Sequence, residues 1–527
     1  MRNIAWLIVV LTMSMPGLVL SEEPVYFADP NLQVAVEEEL GVSSPTPADM
    51  LELTELNASF KGIVKLIGLE YAVNLTRLDL SSNKISDIST LSGLRNLRFL
   101  GLGYNPISDI SEVSVLRNLE TLWLNGNQIS DISELSKLTN LKELSLVDNQ
   151  ISDISALRGL TNLITLRLQE NQIRDISALS VLLNLEGLAL ARNQISDIYG
   201  LSSLTNLKSL WLADNQISDI YPIILLTNLK FLGLNGNQIS DISVVSVLTN
   251  LETLWLGGNL VSDISALSEL TNLKNLILSQ NQISNMSNLR GLRNLANIFL
   301  ADNQVSDISV LSGLRQLEEL DLSSNQISDI SALSGLRKMK KLDLSNNQIS
   351  NISALSELTH LRDLNLSNNK ISDISALGRL VNLIQLRLNP GENQISNDVC
   401  FLVAPPLDRS YGIFRRYGIF ANSMLPKSQK LRLNENELNT EAYYIYLPLI
   451  IHNNSNLSNL TYGPNPNPLM DDRGVELPNL IEFTNHLGKT GCGEQNDWCG
   501  YTDLNQSGSV DEDDFAKLLE YYFEGTE

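Results

Sequence analysis

The chain has 527 residues and a formal net charge of −23. That acid excess removes the basic footprint that nucleic-acid phosphates require, so no nucleic-acid partner is expected. No segment beyond the first 21 residues is apolar enough to cross a bilayer, so no transmembrane segment is expected either.

Residues 1–21 read as a signal peptide. Arg2 supplies the charge, Ile4 to Leu11 the apolar core, and Val19-Leu20-Ser21 a cleavage site before Glu22. The expected location is therefore secreted or cell surface. Residues 22–52 read as a helical N-terminal cap. Asp29-Pro30 opens a helix, NLQVAVEEEL, that Gly41 stops. Thr46-Pro47 opens a second, shorter one. Residues 53–74 form an atypical first repeat with Lys61 at a position that later units give to asparagine.

Residues 75–382 repeat one 22-residue sentence fourteen times without insertion or deletion. Leu141 to Asn162, LKELSLVDNQISDISALRGLTN, is a representative unit. Its ninth residue is asparagine in every copy, from Asn83 and Asn105 to Asn369. A period of roughly 20–29 residues with L-x-x-L-x-L-x-x-N is the leucine-rich repeat signature. Leu144 and Leu146, two apart on a strand, point to one inner side. Ile151, Ile154, Leu157 and Leu160 return along the opposite wall. One unit cannot shield these side chains; stacked neighbours can, at roughly 1.5–3 kcal/mol per buried Leu or Ile. The asparagine sits where the strand turns, where its amide can pair backbone groups otherwise left without partners.

The thirteenth residue is aspartate in most units, as in Asp87, Asp109, Asp131 and Asp153, but Asn285 and Asn351 replace it. A column of calcium ligands and a column of turn caps both fit. The asparagines favour the cap, since only the acid carries charge.

The helical cap, the 22-residue units and the repeated N-x-I-S-D-I resemble the internalin-type leucine-rich repeat proteins of bacteria over residues 22 to about 398. The resemblance implies an α/β solenoid. A parallel β-sheet forms its concave face, short 3-10 or plain turns its convex face, and an extracellular protein or glycan partner binds the concave side. The solenoid is expected over 53–398.

After Leu383 the frame breaks, with two extra residues before Asn393. Residues 399–462 hold an irregular insert with a tandem YGIFRRYGIF, one longer repeat with Asn436 at its turn, and a closing cap. GPNPNP, 463–468, reads as a stiff linker. Cys400 reads as a buried free thiol. Cys492 and Cys499 are expected to pair, given export.

Residues 469–527 read as a separate small helical module. Asp503, Asn505, Ser507, Gly508, Asp511 and Asp514 fall at positions 1, 3, 5, 6, 9 and 12 of a calcium loop, with Ser509 offering its carbonyl. The helix FAKLLEYYF follows. The aspartate at the twelfth position resembles a dockerin repeat. A dockerin has two such loops; the upstream segment 470–487 lacks ligands, so one calcium ion is expected. The resemblance implies a cohesin-like partner for the tail, an implication the missing second loop weakens.

Strand positions 3, 5 and 7 face outward. Trp123, Trp211, Trp255, Ile277 and Phe299 take position 5, and Phe99 and Phe231 take position 3. Clustered aromatics on one face mark a binding surface. A rival origin stands beside it: residues 97–146 and 229–278 look like one duplicated block, so Trp123 and Trp255 read equally as copies. His360, His452 and His486 are scattered, and no nucleophile triad, zinc spacing or phosphate loop occurs, so no enzyme is expected. A spacer whose tail is the interacting end, and a part in polysaccharide degradation, are the other readings.

Overall fold

A computed structural model describes residues 23–388 and 393–395, together with the antiparallel strand pair Val399–Cys400 and Phe420–Ala421. The expected signal peptide 1–21, the insert, longer repeat and cap expected over 399–462 apart from the two strands, the Cys400 thiol, the expected linker 463–468, and the expected module 469–527 with Asp503 to Asp514, Cys492 and Cys499 lie outside the described residues.

Helix α1, Pro30–Leu40, starts on Asp29, whose carboxylate accepts from the Asn31 N–H, and ends on left-handed Gly41, φ 67°. Helix α2, Pro47–Met50, is closed by a reciprocal Thr46–Asp49 capping box. Both follow the expected spelling. Asp29 also ties the cap to the first repeat, accepting from Val64 N at 2.6 Å and Lys65 N at 3.2 Å. Burial pushes its carboxyl upward, but the backbone donors of Val64, Asn31, Lys65 and Leu32 outweigh that and hold it below the ordinary carboxylate value. Lys61 completes the junction through an ion pair to Glu38 at 2.9 Å.

Sixteen three-residue strands, β1 (Glu55–Asn57) to β16 (Gln385–Arg387), lie side by side in chain order in one sheet. From β1 to β15 (Asp363–Asn365) every pair is parallel and offset by 22 residues, as in Leu144↔Leu166. Each strand from β1 to β15 returns through a short 3-10 turn such as Ser155–Gly159. The core is the stacked leucine and isoleucine columns: Leu141, Leu144, Leu146, Ile151, Leu157 and Leu160 are fully buried, and the other regular units match them.

The ninth-position asparagines link units instead of decorating one. Asn149 accepts from Ile129 N in the preceding unit at 3.0 Å, and donates to Leu124 O, Leu146 O and Val147 O at 2.9, 3.1 and 3.2 Å. Each ladder asparagine from Asn83 to Asn369 makes the same backward bond. Asn393, displaced by two residues, still makes it: Ile371 N donates to it at 3.0 Å and it donates to Leu366 O at 3.1 Å. The residue before each of the fourteen regular-ladder asparagines is left-handed, from Ser324 at φ 53° to Gly258 at φ 65°. Most of these residues are not glycine, at a strain of about 1–2 kcal/mol each.

The thirteenth-position acids cap turns. Asp131 accepts from Ser133 N at 2.8 Å, and Asn285 and Asn351 do the same for Ser287 and Ser353 at 2.9 Å. That bond to the following N–H is the first cause holding Asp87, Asp131, Asp175, Asp241, Asp307 and Asp373 below the usual carboxylate range. Among the described residues no group of three His, Cys, Asp or Glu is placed to hold a metal ion, and no helix is long and apolar enough to cross a membrane.

Candidate binding face

Strand alternation puts residues 3, 5 and 7 of each unit on the face opposite its buried leucines. Every aromatic singled out from the sequence lies there, and all of these rings except Phe299 gather into two clusters. In the first, Phe99 on β3 (Phe99–Gly101) meets Trp123 on β4 (Thr121–Trp123) edge to face, centroids 4.8 Å apart at 81°. In the second, Trp211 on β8 (Ser209–Trp211) stacks on Phe231 of β9 (Phe231–Gly233) at 3.9 Å. Trp255 on β10 (Thr253–Trp255) meets Phe231 edge to face at 4.9 Å and 78°, and Trp211 at 5.4 Å. Ile277 on β11 (Asn275–Ile277) and Phe299 on β12 (Asn297–Phe299) continue the same row.

Trp211 and Trp255 sit two strands apart and touch because Gly233 lies between them. A Cβ there would stand 3.1 Å from the Phe231 ring and 3.8 Å from Trp211. The matching Gly101 is covered instead by Asp79, whose carboxylate oxygen would meet a Cβ at 2.6 Å. The rings are therefore half-buried, not free-standing, and Phe99 is only 9 % exposed. A free-standing ring that the sequence reading did not single out is Tyr104, 61 % exposed, lying against Gly126 with a left-handed backbone. An aromatic residue at the eighth position, found in no other regular unit, was the available signal.

The duplicated blocks reproduce one geometry: the Phe231–Trp255 pair repeats the Phe99–Trp123 pair in distance and angle. Their surroundings differ. Arg77 of β2 (Arg77–Asp79) covers Phe99, whereas Trp211 covers Phe231. In the first cluster the Trp123 indole N–H and Asn125 Oδ1 are buried without hydrogen-bond partners, as is Gln169 Oε1 two strands on. In the second, Trp211 Nε1 donates to Ser209 Oγ at 2.8 Å.

Two polar rows run beside the aromatic clusters, one of asparagines and one of charges. A second asparagine ladder, at the last residue of the unit, runs from Asn74 to Asn294, each donating to a backbone carbonyl of the preceding unit. Beside it, position 2 carries alternating charges: Arg98–Glu120–Lys142 and Lys230–Glu252–Lys274. The lysine hydrogen bond is the first cause holding Glu120 and Glu252 low. From Asn74 to Asn206 these two rows line an open groove of about 990 Å³. Its amides already bond the backbone and its charges neutralise one another, so the aromatic face is the better candidate. Downstream, Asp321 on β13 (Glu319–Asp321) is pushed up by burial.

The family description "Leucine Rich repeats (2 copies)" matches residues 73–115, 95–137, 117–159, 139–181, 183–224, 227–269 and 315–357, and "Leucine Rich repeat" matches 357–377. Among solved structures, the chain is similar to an internalin, inlF, from Listeria monocytogenes, at 33 % identity over 70 % of this chain and 98 % of that one, TM-score 0.51. A leucine-rich repeat protein of Leptospira interrogans is 27 % identical over 66 % of this chain and 93 % of that one, TM-score 0.54. The plant peptide hormone receptor RGFR1, solved in complex with RGF2, is 25 % identical over 61 % and 64 %, TM-score 0.51. No curated protein matches the chain at a significant level. With nearly the whole internalin chain covered at one-third identity and the repeat pattern matched along the solenoid, the chain belongs to the internalin-type leucine-rich repeat proteins.

Proposed function

We propose that this chain is an exported, non-enzymatic binding protein whose sheet face holds an extracellular protein or glycan partner. The observation that carries this reading is the gathering of Trp211, Phe231 and Trp255 into one contiguous aromatic surface on the side of the sheet away from the core. Packing of the solenoid does not require them: other units put Ser145 or Ala189 at the same position with the same backbone. Half-buried aromatics held rigid by one another lose little entropy on binding. The similar receptor solved in complex with RGF2 supports a binding role. In this reading the tail is an attachment module, with Asp503, Asn505, Ser507, Ser509, Asp511 and Asp514 around one calcium ion.

The test is capture from surface extracts by the full chain and by its Trp123→Ala, Trp211→Ala, Trp255→Ala triple variant. The face reading requires a partner held by the first and lost by the second. Equal capture by both overturns it. For the tail, Asp503→Ala with Asp514→Ala should abolish any calcium-dependent rise in the melting temperature. A native melting curve unchanged by chelator removes the calcium reading.

A further inference from the structure

Five consecutive strands, β8 to β12, present fifteen outward positions, and none is charged. They are Ser, Trp and Ala at 209, 211 and 213; Phe, Gly and Asn at 231, 233 and 235; Thr, Trp and Gly at 253, 255 and 257; Asn, Ile and Ser at 275, 277 and 279; and Asn, Phe and Ala at 297, 299 and 301. In a chain of net charge −23 this is a bounded feature. Upstream, beyond the small neutral residues Gly187, Ala189 and Ala191, the same rows carry Glu143 and Arg167, paired with each other, and downstream Glu319, Asp321, Lys341, Asp343 and Asp363.

The neutral stretch has a two-part chemistry. Position 5 makes an apolar ridge, Trp211, Trp255, Ile277 and Phe299, widened by Phe231. Position 3 makes a polar rail beside it: Asn297 Nδ2 donates to Asn275 Oδ1 at 2.6 Å, and Asn275 Nδ2 donates to Thr253 Oγ1 at 3.1 Å. On the other side, Asn235 Oδ1 accepts from Gly257 N at 2.8 Å, which fixes its amide. Among the described residues Asn235 Nδ2, Asn297 Oδ1 and Trp255 Nε1 make no hydrogen bond, so fixed donors and a fixed acceptor border the ridge.

We propose that β8–β12 bind an uncharged glycan lying along the ridge, across the strands. This rests on the binding-face reading above and names its ligand class. A sugar ring offers an apolar C–H face, which the negative face of an aromatic ring attracts, and a rim of hydroxyls that both donate and accept. The ridge meets the first and the amide and hydroxyl rails meet the second. An acidic glycan or a charged peptide segment would bring ions to a surface whose neighbouring cations, Lys208, Lys230 and Lys274, are already paired with Glu186 and Glu252, at a desolvation cost that nothing on these strands offsets. The stretch spans about 19 Å between its first and last strands, room for a short oligosaccharide.

The test uses the full chain, titrated by tryptophan fluorescence and calorimetry against soluble neutral glucan, xylan, mannan and galactan oligosaccharides, with polygalacturonate as the acidic control. The variants are Trp255→Ala, Ile277→Glu, which sets a charge in the ridge without touching the core, and Tyr199→Ala, an exposed aromatic on the 3-10 turn Tyr199–Leu201, away from the sheet face. Expected is binding of at least one neutral oligosaccharide that is insensitive to salt, about tenfold or more weaker in Trp255→Ala and Ile277→Glu, and unchanged in Tyr199→Ala. No binding of any neutral oligosaccharide, or binding indifferent to Ile277→Glu, overturns the proposal. A captured surface protein that still depends on the tryptophans and survives enzymatic deglycosylation sinks the glycan inference alone. Equal capture by the triple variant sinks the face reading with it.

Discussion

The Arg77 guanidinium lies 3.7 Å from the centre of the Phe99 ring, in the place that Trp211 takes against Phe231. The two phenylalanines belong to duplicated units, yet one is covered by a cation and the other by an indole. Exposed cation–π contacts contribute about 0.5–1 kcal/mol, while a buried stack adds about 0.5–1.5 kcal/mol beyond the area it covers. Arg77→Ala is therefore expected to cost less than about 1 kcal/mol and Trp211→Ala about 2–3 kcal/mol. Urea unfolding of both variants decides; a larger loss for Arg77→Ala would contradict the assignment.

The ladder asparagines should be the costliest polar side chains to remove. Asn215 accepts from Ile195 N and donates to Leu190 O, Leu212 O and Ala213 O. Asn215→Ala strands these buried groups, each worth about 1–3 kcal/mol when unpaired, so a total loss of about 3 kcal/mol or more is expected. Asn393→Ala should instead loosen only the last regular unit, visible as faster amide exchange at Ile371 with little change in Leu141. Uniform loosening along the chain would show that the ladder does not act unit by unit.

Gly200 offers a test of close approach. A Cβ there would stand 2.5 Å from the Ile176 carbonyl oxygen, a backbone atom that cannot swing aside, whereas a Cβ at Gly313 meets nothing within 4 Å. Gly200→Ala is expected to cost about 1–3 kcal/mol and Gly313→Ala to stay within about 0.5 kcal/mol of native. Thermal unfolding compares them directly.

Two kinds of aspartate give opposite pH signatures. Asp87, Asp131, Asp175, Asp241, Asp307 and Asp373 are held low by their turn N–H donors, so the unfolded chain binds their protons first. Their contribution is whole above the unfolded carboxylate value and fades as pH falls through the folded one. Replacing these six with asparagine, as nature does at 285 and 351, should keep the turns and flatten the acid limb of the stability curve. Asp321 is held high by burial, so its contribution is present below the unfolded carboxylate value and lost as pH rises through its folded value. Asp321→Asn should thus stabilise the protein at neutral pH, with the gain shrinking in acid. Denaturation midpoints from pH 2 to 8, in steps of about one unit, separate the two groups.

The backbone was legible because its signals are periodic. Asp29, Gly41 and Thr46 mark helix ends through local chemistry, and the Leu and Asn columns can only be satisfied by stacking. The left-handed column at position 8 was overlooked although its spelling is local too: Ser82, Gly126, Asp148, Asp214 and Asn346 are residue types that tolerate that region. The asparagines at the end of each unit from Asn74 to Asn294 were equally available. The ring clusters were legible only as a shared face. That Trp211 reaches Trp255 across Gly233, or that Asp79 leans over Gly101, depends on rotamers settled between units, which no single repeat encodes.

The constant 22-residue offset from β1 to β15 has a consequence for how such a gene can change. Deleting or inserting one whole unit creates a junction chemically like those already present, with an asparagine from the incoming unit reaching back to the same atoms. Unequal recombination thus yields chains of new length that still fold. It can carry a pair such as Phe99 and Trp123 intact to a new address, where the upstream neighbour alone decides what that pair becomes.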